Sequence, residues 1–189
     1  TSAHAFTLLH DDERTAFDSQ IASLGVGTTI LVDTYDIARG VQRAVDAAKA
    51  AGGTLGAVRL DSGDLVAEAF KVRAQLDSLG CPDTKIVVTS DLDEYAIAAL
   101  GAAPVDIYGV GTKLVTGSGV PTAALVYKMV ERENSAGEME KVAKKSSGGK
   151  SSVGGRKTAG RVIIDGSATE ELLISALDPE AAEAELERN

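Results

Sequence analysis

Residues 55–91 read LGAVRLDSGDLVAEAFKVRAQLDSLGCPDTKIVVTSD and contain one complete strand, helix and strand in succession. Short apolar runs at Leu55–Asp61 and Lys85–Asp91 predict two strands. The stretch between them, Asp64–Leu79, predicts a helix that ends at Gly80. Elements in this order predict parallel strands joined by a right-handed crossover. The chain is therefore expected to contain a parallel sheet of the α/β class.

The same alternation continues on both sides of this unit. Further strands are predicted at Thr28–Asp33 and Val105–Gly109, and further helices at Asp11–Leu24, Tyr35–Ala51 and Asp91–Leu100. The four strand segments do not alternate cleanly between apolar and polar residues, which is typical of strands covered on both faces. An α/β architecture is therefore expected up to about residue 116.

The pattern changes in the rest of the chain. Short strands are predicted at Ala123–Val130, Glu140–Ala143 and Arg161–Asp165, with a Gly-, Ser- and Lys-rich stretch at 144–160. The tail at 169–189 is acidic and predicts a helix, with Asp178-Pro179-Glu180 at one helix start. We predict three segments: a partial α/β barrel at 1–116, a β-rich segment with a basic loop at 117–165, and an acidic helical tail at 166–189.

Composition excludes several classes of protein. With 44% hydrophobic and 25% charged residues among 189, the chain can bury a core. It contains no apolar run near the ~20 residues that span a bilayer and opens on no secretory leader, so neither a membrane nor a secreted protein is expected. The single Cys81 cannot form an internal disulfide, which favours the cytoplasm. Because the chain opens at Thr1 within a polar motif, we expect a fragment of a longer protein.

Charge is distributed unevenly along the chain, whose formal net charge is −9. Residues 128–161 contain nine basic and four acidic residues, whereas the segments before and after them are acidic. An acidic chain with a pI near 4.7 is not expected to bind nucleic acid. A short basic segment suits a phosphate-rich small molecule, and a solvated basic hairpin is an equally good interpretation.

Polar residues gather where the predicted parallel strands end. These residues are Asp33 after the first strand, Arg59, Asp61, Ser62 and Asp64 at the second, Ser90 and Asp91 at the third, and Gly109, Gly111 and Thr112 at the fourth. Ligands bind at the carboxyl edge of parallel sheets and barrels. For Asp64 and Asp91, an ordinary role as helix N-caps is the alternative.

Three smaller features add to this prediction. Gly109-Val110-Gly111-Thr112 would present backbone N–H groups to a phosphate, although a tight turn would also use these glycines. His4 would carry a proton or a phosphoryl group if a ligand reaches it, and a surface role is the alternative. Carboxylates would hold Mg²⁺ beside substrate phosphates, the candidates being Asp61, Asp64 and Asp91.

Several motifs together resemble one enzyme family, nicotinate phosphoribosyltransferase. The segments that carry the resemblance are TSAHAF (1–6), LVDTYD (31–36), VRLDSGDL (58–65), SDLDE (90–94), YGVGT (108–112) and VYK (126–128). The similarity extends from residue 1 to about residue 165 and corresponds to the second half of the longer family members. It implies a barrel of the type II phosphoribosyltransferase kind, of which four strands are about half.

The resemblance implies an activity in NAD salvage. Nicotinate and 5-phosphoribosyl 1-diphosphate would give nicotinate mononucleotide and pyrophosphate, coupled to ATP hydrolysis with Mg²⁺. The position that ATP phosphorylates in the family corresponds to His4. A homodimer whose subunits share the active site is also implied.

The resemblance further assigns roles to individual residues. Thr1 and Arg59 would contact nicotinate, and Asp61 would lie near the ribose. Gly109, Gly111 and Thr112 would bind the 5′-phosphate, with Ser90 and Asp91 beside them. Four lysines of the basic segment would contact diphosphate or ATP: Lys128, Lys145, Lys150 and Lys157.

The basic segment departs from the family pattern because its K-S-S-G-G-K-S-S-V-G-G-R-K run, residues 145–157, lacks a proline. Two alternatives to the enzyme also stay open. One is a related phosphoribosyltransferase that takes nicotinamide or quinolinate. The other is an inactive fragment that only binds phosphates or a partner subunit.

Overall fold

The computed structural model describes residues 1–117, 119, 122–145 and 150–175. The helices of this part of the chain are α1 (His4–Leu8), α2 (Glu13–Leu24), α3 (Ile37–Ala50), α4 (Leu65–Ser78), α5 (Glu94–Leu100) and α6 (Thr112–Thr116). Its strands are β1 (Thr29–Leu31), β2 (Ala57–Leu60), β3 (Lys85–Val88), β4 (Ile107–Tyr108), β5 (Glu131–Glu133), β6 (Met139–Lys141), β7 (Lys157–Ile164) and β8 (Ser167–Ser175).

Strands β1 to β4 form a four-stranded sheet in sequence order, and every pair within it is parallel. Ala57 lies opposite Thr29 on one side and opposite Lys85 on the other, which fixes the register of the central strands. The predicted parallel α/β arrangement is thus confirmed. A parallel arrangement brings the carboxyl ends of all four strands to one edge.

Four of the helices begin at an aspartate that accepts a hydrogen bond from the backbone N–H three residues later. The pairs are Asp12 with Thr15, Asp36 with Arg39, Asp64 with Ala67, and Asp93 with Ala96. Such caps satisfy one of the N–H groups left free at a helix start. Asp64 is therefore an N-cap, whereas the cap of α5 is Asp93 and not Asp91.

The core of this part lies between the sheet and its helices. Its largest fully buried side chains include Phe17 from α2, Ile30 from β1 and Leu76 from α4. Helix α3 lies so close to the end of β1 that a Cβ on Gly40 would clash with the carbonyl oxygen of Val32. Cys81 is a free, buried thiol in the same core.

Two predictions for the later part of the chain are wrong. The apolar run at Ala123–Val130 forms no strand, because among the described residues only its last one, Val130, makes backbone hydrogen bonds, accepting from the N–H groups of Val142 and Gly155. Leu125 and Tyr127 are exposed. The predicted helix over 169–189 is instead strand β8 as far as residue 175, paired antiparallel with β7. The turn at Asp165-Gly166, with φ of 51° and 78°, suits a tight hairpin and explains the pairing. Asp178-Pro179-Glu180 lies outside the described residues.

Two short helices were not expected from the sequence. The opening segment, read as a polar motif, forms α1, and the segment after Gly111 forms α6. Each has five residues, too few for a visible apolar period.

The described chain divides into two compact units. The first contains Thr1–Lys128 and the described part of Lys144–Ser152, and the second contains Met129–Ala143 with the described residues from Val153 onwards. The first unit contains the four-stranded sheet, and the second contains the hairpins β5–β6 and β7–β8. In the described ranges, no helix is both long enough and apolar enough to span a membrane.

Candidate active site

His4 on α1 lies against the carboxyl ends of β1 and β2 and is held through both ring nitrogens. Its Nδ1 is 3.0 Å from the Thr34 hydroxyl oxygen, and its Nε2 is 2.7 Å from Nζ of Lys144. Nε2 also lies 3.6 Å from a carboxylate oxygen of Asp61 and 3.8 Å from one of Asp33. The His4 side chain keeps 19% of its surface exposed, so a ligand can reach it.

We call the side chains around His4 the His4 cluster: Asp33, Thr34, Asp61, Ser62, Thr89, Lys144 and Lys150. Asp33 provides its buried negative charge. It is fully buried, and the Ser62 hydroxyl donates a short hydrogen bond to its Oδ2. The same oxygen lies 3.5 Å from Nζ of Lys144. A buried carboxylate is costly unless it is paired and hydrogen-bonded. Lys144 and Ser62 meet both conditions at Oδ2, whereas the buried Oδ1 has no hydrogen-bond partner among the described residues.

Asp61 lies at the end of β2, with a hydrogen-bond donor on one carboxylate oxygen and a lysine ammonium near the other. Its Oδ1 accepts a 2.6 Å hydrogen bond from the Thr89 hydroxyl, and its Oδ2 is 3.8 Å from Nζ of Lys150. Burial by itself would raise the pKa of Asp61, but the His4 ring, the Thr89 hydroxyl and the charges of Lys150 and Lys144 outweigh it. The pKa therefore lies well below its usual value, and Asp61 is ionised at neutral pH.

Lys150 links the ends of β2 and β3. Its Nζ donates to the Asp61 carbonyl oxygen at 2.8 Å and to the Ser90 hydroxyl at 2.7 Å. Ser90 and Asp91 have φ of 114° and 51°, a backbone region that non-glycine residues rarely adopt. Such strained residues cluster at functional sites.

Lys144 is the most buried lysine of the described chain, with 3% of its surface exposed. Burial lowers its pKa below the ordinary lysine value, and the nearby charge of Lys150 acts in the same direction. The carboxylates of Asp33 and Asp61 oppose this shift. Lys144 thus joins His4 to Asp33.

A second contact joins the two residues expected to bind nicotinate. Arg59 Nη1 donates to the Thr1 hydroxyl at 3.2 Å. The Nε of Arg59 is buried without a hydrogen-bond partner among the described residues. Within those residues the guanidinium also forms no ion pair, so it has donors to offer an anion.

The loop expected to bind phosphate divides into a packed and an open half. A Cβ on Gly109 would clash with the Thr89 side chain, whereas a Cβ on Gly111 would meet nothing within 4 Å. Thr112 and Asp91 line a cleft of about 610 Å³ together with Lys113 and residues 122–126. His4 and Asp61 do not line this cleft, although Asp91 directly follows Ser90, which contacts Lys150.

Only one of the four predicted lysines reaches the His4 cluster in the described structure, and that one is Lys150. The side chains of Lys128 and Lys145 are exposed, although the Lys145 backbone N–H donates to the Thr34 carbonyl. Lys157 belongs to the second unit, where its Nζ donates to the carbonyls of Val153 and Gly155.

The candidate Mg²⁺ ligands do not converge. Asp61 faces donors and cations on both oxygens, Asp64 caps α4, and Asp91 borders the cleft. Among the residues that the structure describes, no three His, Cys, Asp or Glu side chains are placed to share a metal ion.

Three residues of the cluster were not assigned to the site from the sequence: Thr34, Thr89 and Lys144. Thr34 directly follows Asp33, and Thr89 directly precedes Ser90. Because both lie at the ends of predicted strands, their positions alone could have placed them at the site. Lys144 is 140 residues from His4 in the chain. Its neighbours in sequence gave no sign that this lysine, rather than Lys145, is buried.

Curated relatives of this chain are nicotinate phosphoribosyltransferases. The chain is 52% identical over 188 residues to nicotinate phosphoribosyltransferase pncB1 of Mycobacterium tuberculosis, covering 95% of this chain and 40% of that protein. It is 39% identical over 168 residues to nicotinate phosphoribosyltransferase of Bacillus subtilis, covering 86% of this chain and 34% of that protein. No protein-family model matches the chain.

Solved structures show the same relationship in the fold. The crystal structure of nicotinate phosphoribosyltransferase from Porphyromonas gingivalis aligns with a TM-score of 0.62 at 19% identity, covering all of this chain and 46% of that one. Nicotinate-nucleotide pyrophosphorylase from Pyrococcus furiosus aligns with a TM-score of 0.53 at 27% identity, covering 94% and 42%. The chain spans about two fifths of the curated relatives, or less, and over that span it belongs to the nicotinate phosphoribosyltransferase family.

Proposed function

We propose that this chain supplies part of the active site of a nicotinate phosphoribosyltransferase, an enzyme of NAD salvage. The reaction joins nicotinate to 5-phosphoribosyl 1-diphosphate, releases pyrophosphate and is coupled to ATP hydrolysis. One observation supports the proposal above all. In a chain of this family, an accessible histidine, His4, is enclosed by the charged side chains of Asp33, Asp61 and Lys144 at the carboxyl edge of the sheet.

The transfer step needs negative charge close to the sugar. The ring nitrogen of nicotinate forms a bond to the anomeric carbon while the bond from that carbon to the diphosphate oxygen breaks. Positive charge develops on the sugar in between, and a fixed carboxylate stabilises it. Asp61 meets this need because its lowered pKa keeps it ionised and the Thr89 hydroxyl holds it in place.

Arg59 is the residue proposed to recognise the acid group of nicotinate. A guanidinium binds a carboxylate through two parallel hydrogen bonds, which an amide cannot match. The unpartnered Nε of Arg59 and its neighbour Thr1 support this role. Selectivity for the acid over the amide would follow.

His4 is proposed to accept the γ-phosphoryl group of ATP. In this step a ring nitrogen forms a bond to phosphorus, and the bond from phosphorus to ADP breaks. The ammonium group of Lys144, 2.7 Å from Nε2, would balance the charge that arrives, and that of Lys150 lies 3.8 Å from the neighbouring Asp61 carboxylate. Mg²⁺ would bind to the phosphates of the substrates and neutralise their charge.

Other parts of the proposal depend on the family alone. The 5′-phosphate would bind at Gly109, Gly111 and Thr112 with Ser90 and Asp91, and diphosphate or ATP at Lys150 and the remaining lysines named above. A complete eight-stranded barrel, a homodimer with a shared site and a cytoplasmic location also belong to the proposal.

Phosphoryl transfer to His4 is tested by incubating the chain with ATP labelled in its γ-phosphoryl group. A label that is lost in acid and kept in base is expected on the wild-type chain and on His10→Ala, but not on His4→Ala. The two variants are matched, because His4 and His10 are the only histidines of the chain. An equal label on His4→Ala would exclude His4 as the acceptor.

A second candidate function is favoured by the 27% identity to the Pyrococcus furiosus pyrophosphorylase. A quinolinate-type enzyme would share the sheet and the phosphate sites but accept a pyridine with two carboxylates. Calorimetric titration with nicotinate, nicotinamide and quinolinate separates the candidates. We expect nicotinate to bind most tightly and Arg59→Ala to weaken its binding more than that of ATP, whereas tighter binding of quinolinate would favour the second candidate.

A further inference from the structure

Lys144 is held in a fixed position beside His4 by its own backbone. Its N–H donates to the Ser152 hydroxyl at 3.0 Å, and its carbonyl accepts from the Ser152 N–H at 3.0 Å. The next residue, Lys145, donates its N–H to the Thr34 carbonyl at 2.8 Å. The same backbone segment thus ties Lys144 to the residue whose hydroxyl contacts Nδ1 of His4.

The contact between Lys144 and His4 determines where the proton of the ring must be. A lysine ammonium has three donors and no acceptor, so its 2.7 Å contact requires that Nε2 of His4 accepts. Nδ1 must then carry the ring proton, and it donates to the Thr34 hydroxyl at 3.0 Å. An unconstrained neutral imidazole prefers the opposite tautomer, with the proton on Nε2.

The proton between the two side chains belongs on the lysine. Ordinary pKa values of lysine and histidine differ by about four units, so the lysine holds the proton unless its surroundings reverse that difference. Burial and Lys150 act against the charge on Lys144, but Asp33 and Asp61 face it and favour the charge. The Ser62, Thr34 and Thr89 hydroxyls complete the surroundings without adding charge.

Stability alone does not account for this lysine. A buried ion pair is often no more stable than well-packed apolar residues of similar volume. Lys144 is only 3% exposed, and its ammonium contacts a histidine nitrogen as well as Asp33. This geometry indicates that the lysine determines which nitrogen of His4 carries the proton.

We propose that Lys144 is a positioning residue that fixes His4 as the Nδ1–H tautomer, with the lone pair on Nε2. Asp33 holds the ammonium in place, and the Thr34 hydroxyl accepts a hydrogen bond from Nδ1–H. Nε2 then accepts from Lys144 at 2.7 Å, while the nearest carboxylate oxygens of Asp61 and Asp33, at 3.6 and 3.8 Å, lie beyond hydrogen-bond distance of it. In this state the charge that supports the Asp61 carboxylate comes from the lysines and not from a proton on Nε2. This inference deepens the proposed function and rests on it only in taking His4 as the phosphoryl acceptor.

The tautomer is measured directly by long-range ¹H–¹⁵N correlation spectra of the chain labelled at histidine. A pH of about 8 lies above the ordinary histidine pKa and below that of lysine. Wild-type His4 is expected to show an unprotonated, pyridine-like Nε2 and a protonated, pyrrole-like Nδ1. His10 is expected to show the same pattern for a different reason, because its Nδ1 donates to the Phe6 carbonyl and not to a threonine beside the lysine. The His10→Ala variant therefore identifies which signals belong to His4, and His10 serves as the signal that Lys144 substitutions should leave unchanged.

Substitutions then test whether Lys144 is the cause. In Lys144→Met the Nε2 signal of His4 is expected to move to the pyrrole-like range, while Lys144→Arg, which keeps a charged donor, retains the wild-type pattern. The His10 signals should not move in either variant. An unchanged His4 pattern in Lys144→Met would overturn the proposal.

The wild-type spectrum is decisive even where Lys144→Met does not fold. A His4 ring that is protonated on Nε2 in the wild-type chain would overturn the proposal without any variant. The outcome for the proposed function is read separately, from the γ-phosphoryl label. A lysine-dependent tautomer without any label would support the positioning role and contradict phosphoryl transfer to His4.

Discussion

Ion pairs are buried in one region of this molecule and exposed in another. At the carboxyl edge of the first unit, Asp33 and Lys144 are almost completely buried against each other. On the β7–β8 hairpin of the second unit, Arg161 and Glu171 form a 2.6 Å pair whose side chains keep 63% and 71% of their surface. Water can replace a lost partner on the hairpin but not at the sheet edge. The buried cluster should therefore depend on every one of its members, and the hairpin pair on neither.

The largest expected effect comes from Asp33→Asn. The substitution keeps the size of the side chain but leaves the Lys144 ammonium buried without its nearest carboxylate. Removing one partner of a buried pair costs about 3–5 kcal/mol. Native-state hydrogen exchange of the β2 and β3 amides measures this loss.

Glu171→Gln is the matched control, because it makes the same chemical change on the exposed hairpin. We expect it to change the exchange of the β7 amides by less than about 1 kcal/mol. Equal effects of the two substitutions would remove the distinction between the regions.

A second contrast is steric and uses one glycine from each region. In Gly40→Ala the new Cβ meets the carbonyl oxygen of Val32, so α3 has to move away from β1. Overpacking of this kind costs about 1–3 kcal/mol. In Gly166→Ala the Cβ meets nothing, and only the positive φ of 78° is penalised, at about 1 kcal/mol.

Exchange rates of the α3 amides and of the β7 amides report the two glycine variants separately. A larger loss from Gly166→Ala than from Gly40→Ala would show that the helix adapts more easily than the close approach suggests.

The parts of the fold that could be predicted are those set by neighbouring residues. Asp36 and Asp64 lie directly before apolar helical stretches and cap them, so the helix starts were visible in the sequence. The helix predicted for the tail is wrong over residues 169–175, because pairing with β7 across the turn at residues 165 and 166 outweighs the helical preference of its residues. Tertiary pairing outweighs local propensity in such a segment.

In the candidate site, the residues at strand ends could be predicted from the sequence, whereas Lys144 could not. Asp61 and Ser90 follow parallel strands, so the topology alone brings them to one edge. Lys144 comes from a basic segment whose lysines look alike in sequence. Which of them is buried depends on the backbone contacts of Ser152 and Thr34, and these connect distant parts of the chain.

Acid pH is expected to reduce the stability that the ionised Asp61 carboxylate contributes to the first unit. Its pKa is lowered in the folded state, so its contribution to stability is present above the ordinary value of about 3.9 and is lost as the pH falls through the lowered one. Asp61→Asn removes this dependence. Below about pH 4, the wild-type chain should lose stability more steeply than the variant, by at most about 1.4 kcal/mol per pH unit.

Urea titrations of both proteins at a series of acid pH values measure the slopes. Parallel slopes would mean that the lysines and Thr89 do not stabilise the Asp61 carboxylate in solution.

The smallest effect is expected from Arg161→Ala. The guanidinium of Arg161 pairs with Glu171 at the surface, where water and salt screen the charges, so its loss should cost at most about 1 kcal/mol. The cost should also shrink as salt is added, because exposed charges are screened within about 10 Å at 0.1 M. Hydrogen exchange of the β7 amides at low and high salt checks both statements. If the loss exceeded 2 kcal/mol and did not change with salt, the hairpin pair would behave like the buried pair of Asp33 and Lys144. Exposure would then not be the property that separates the two regions.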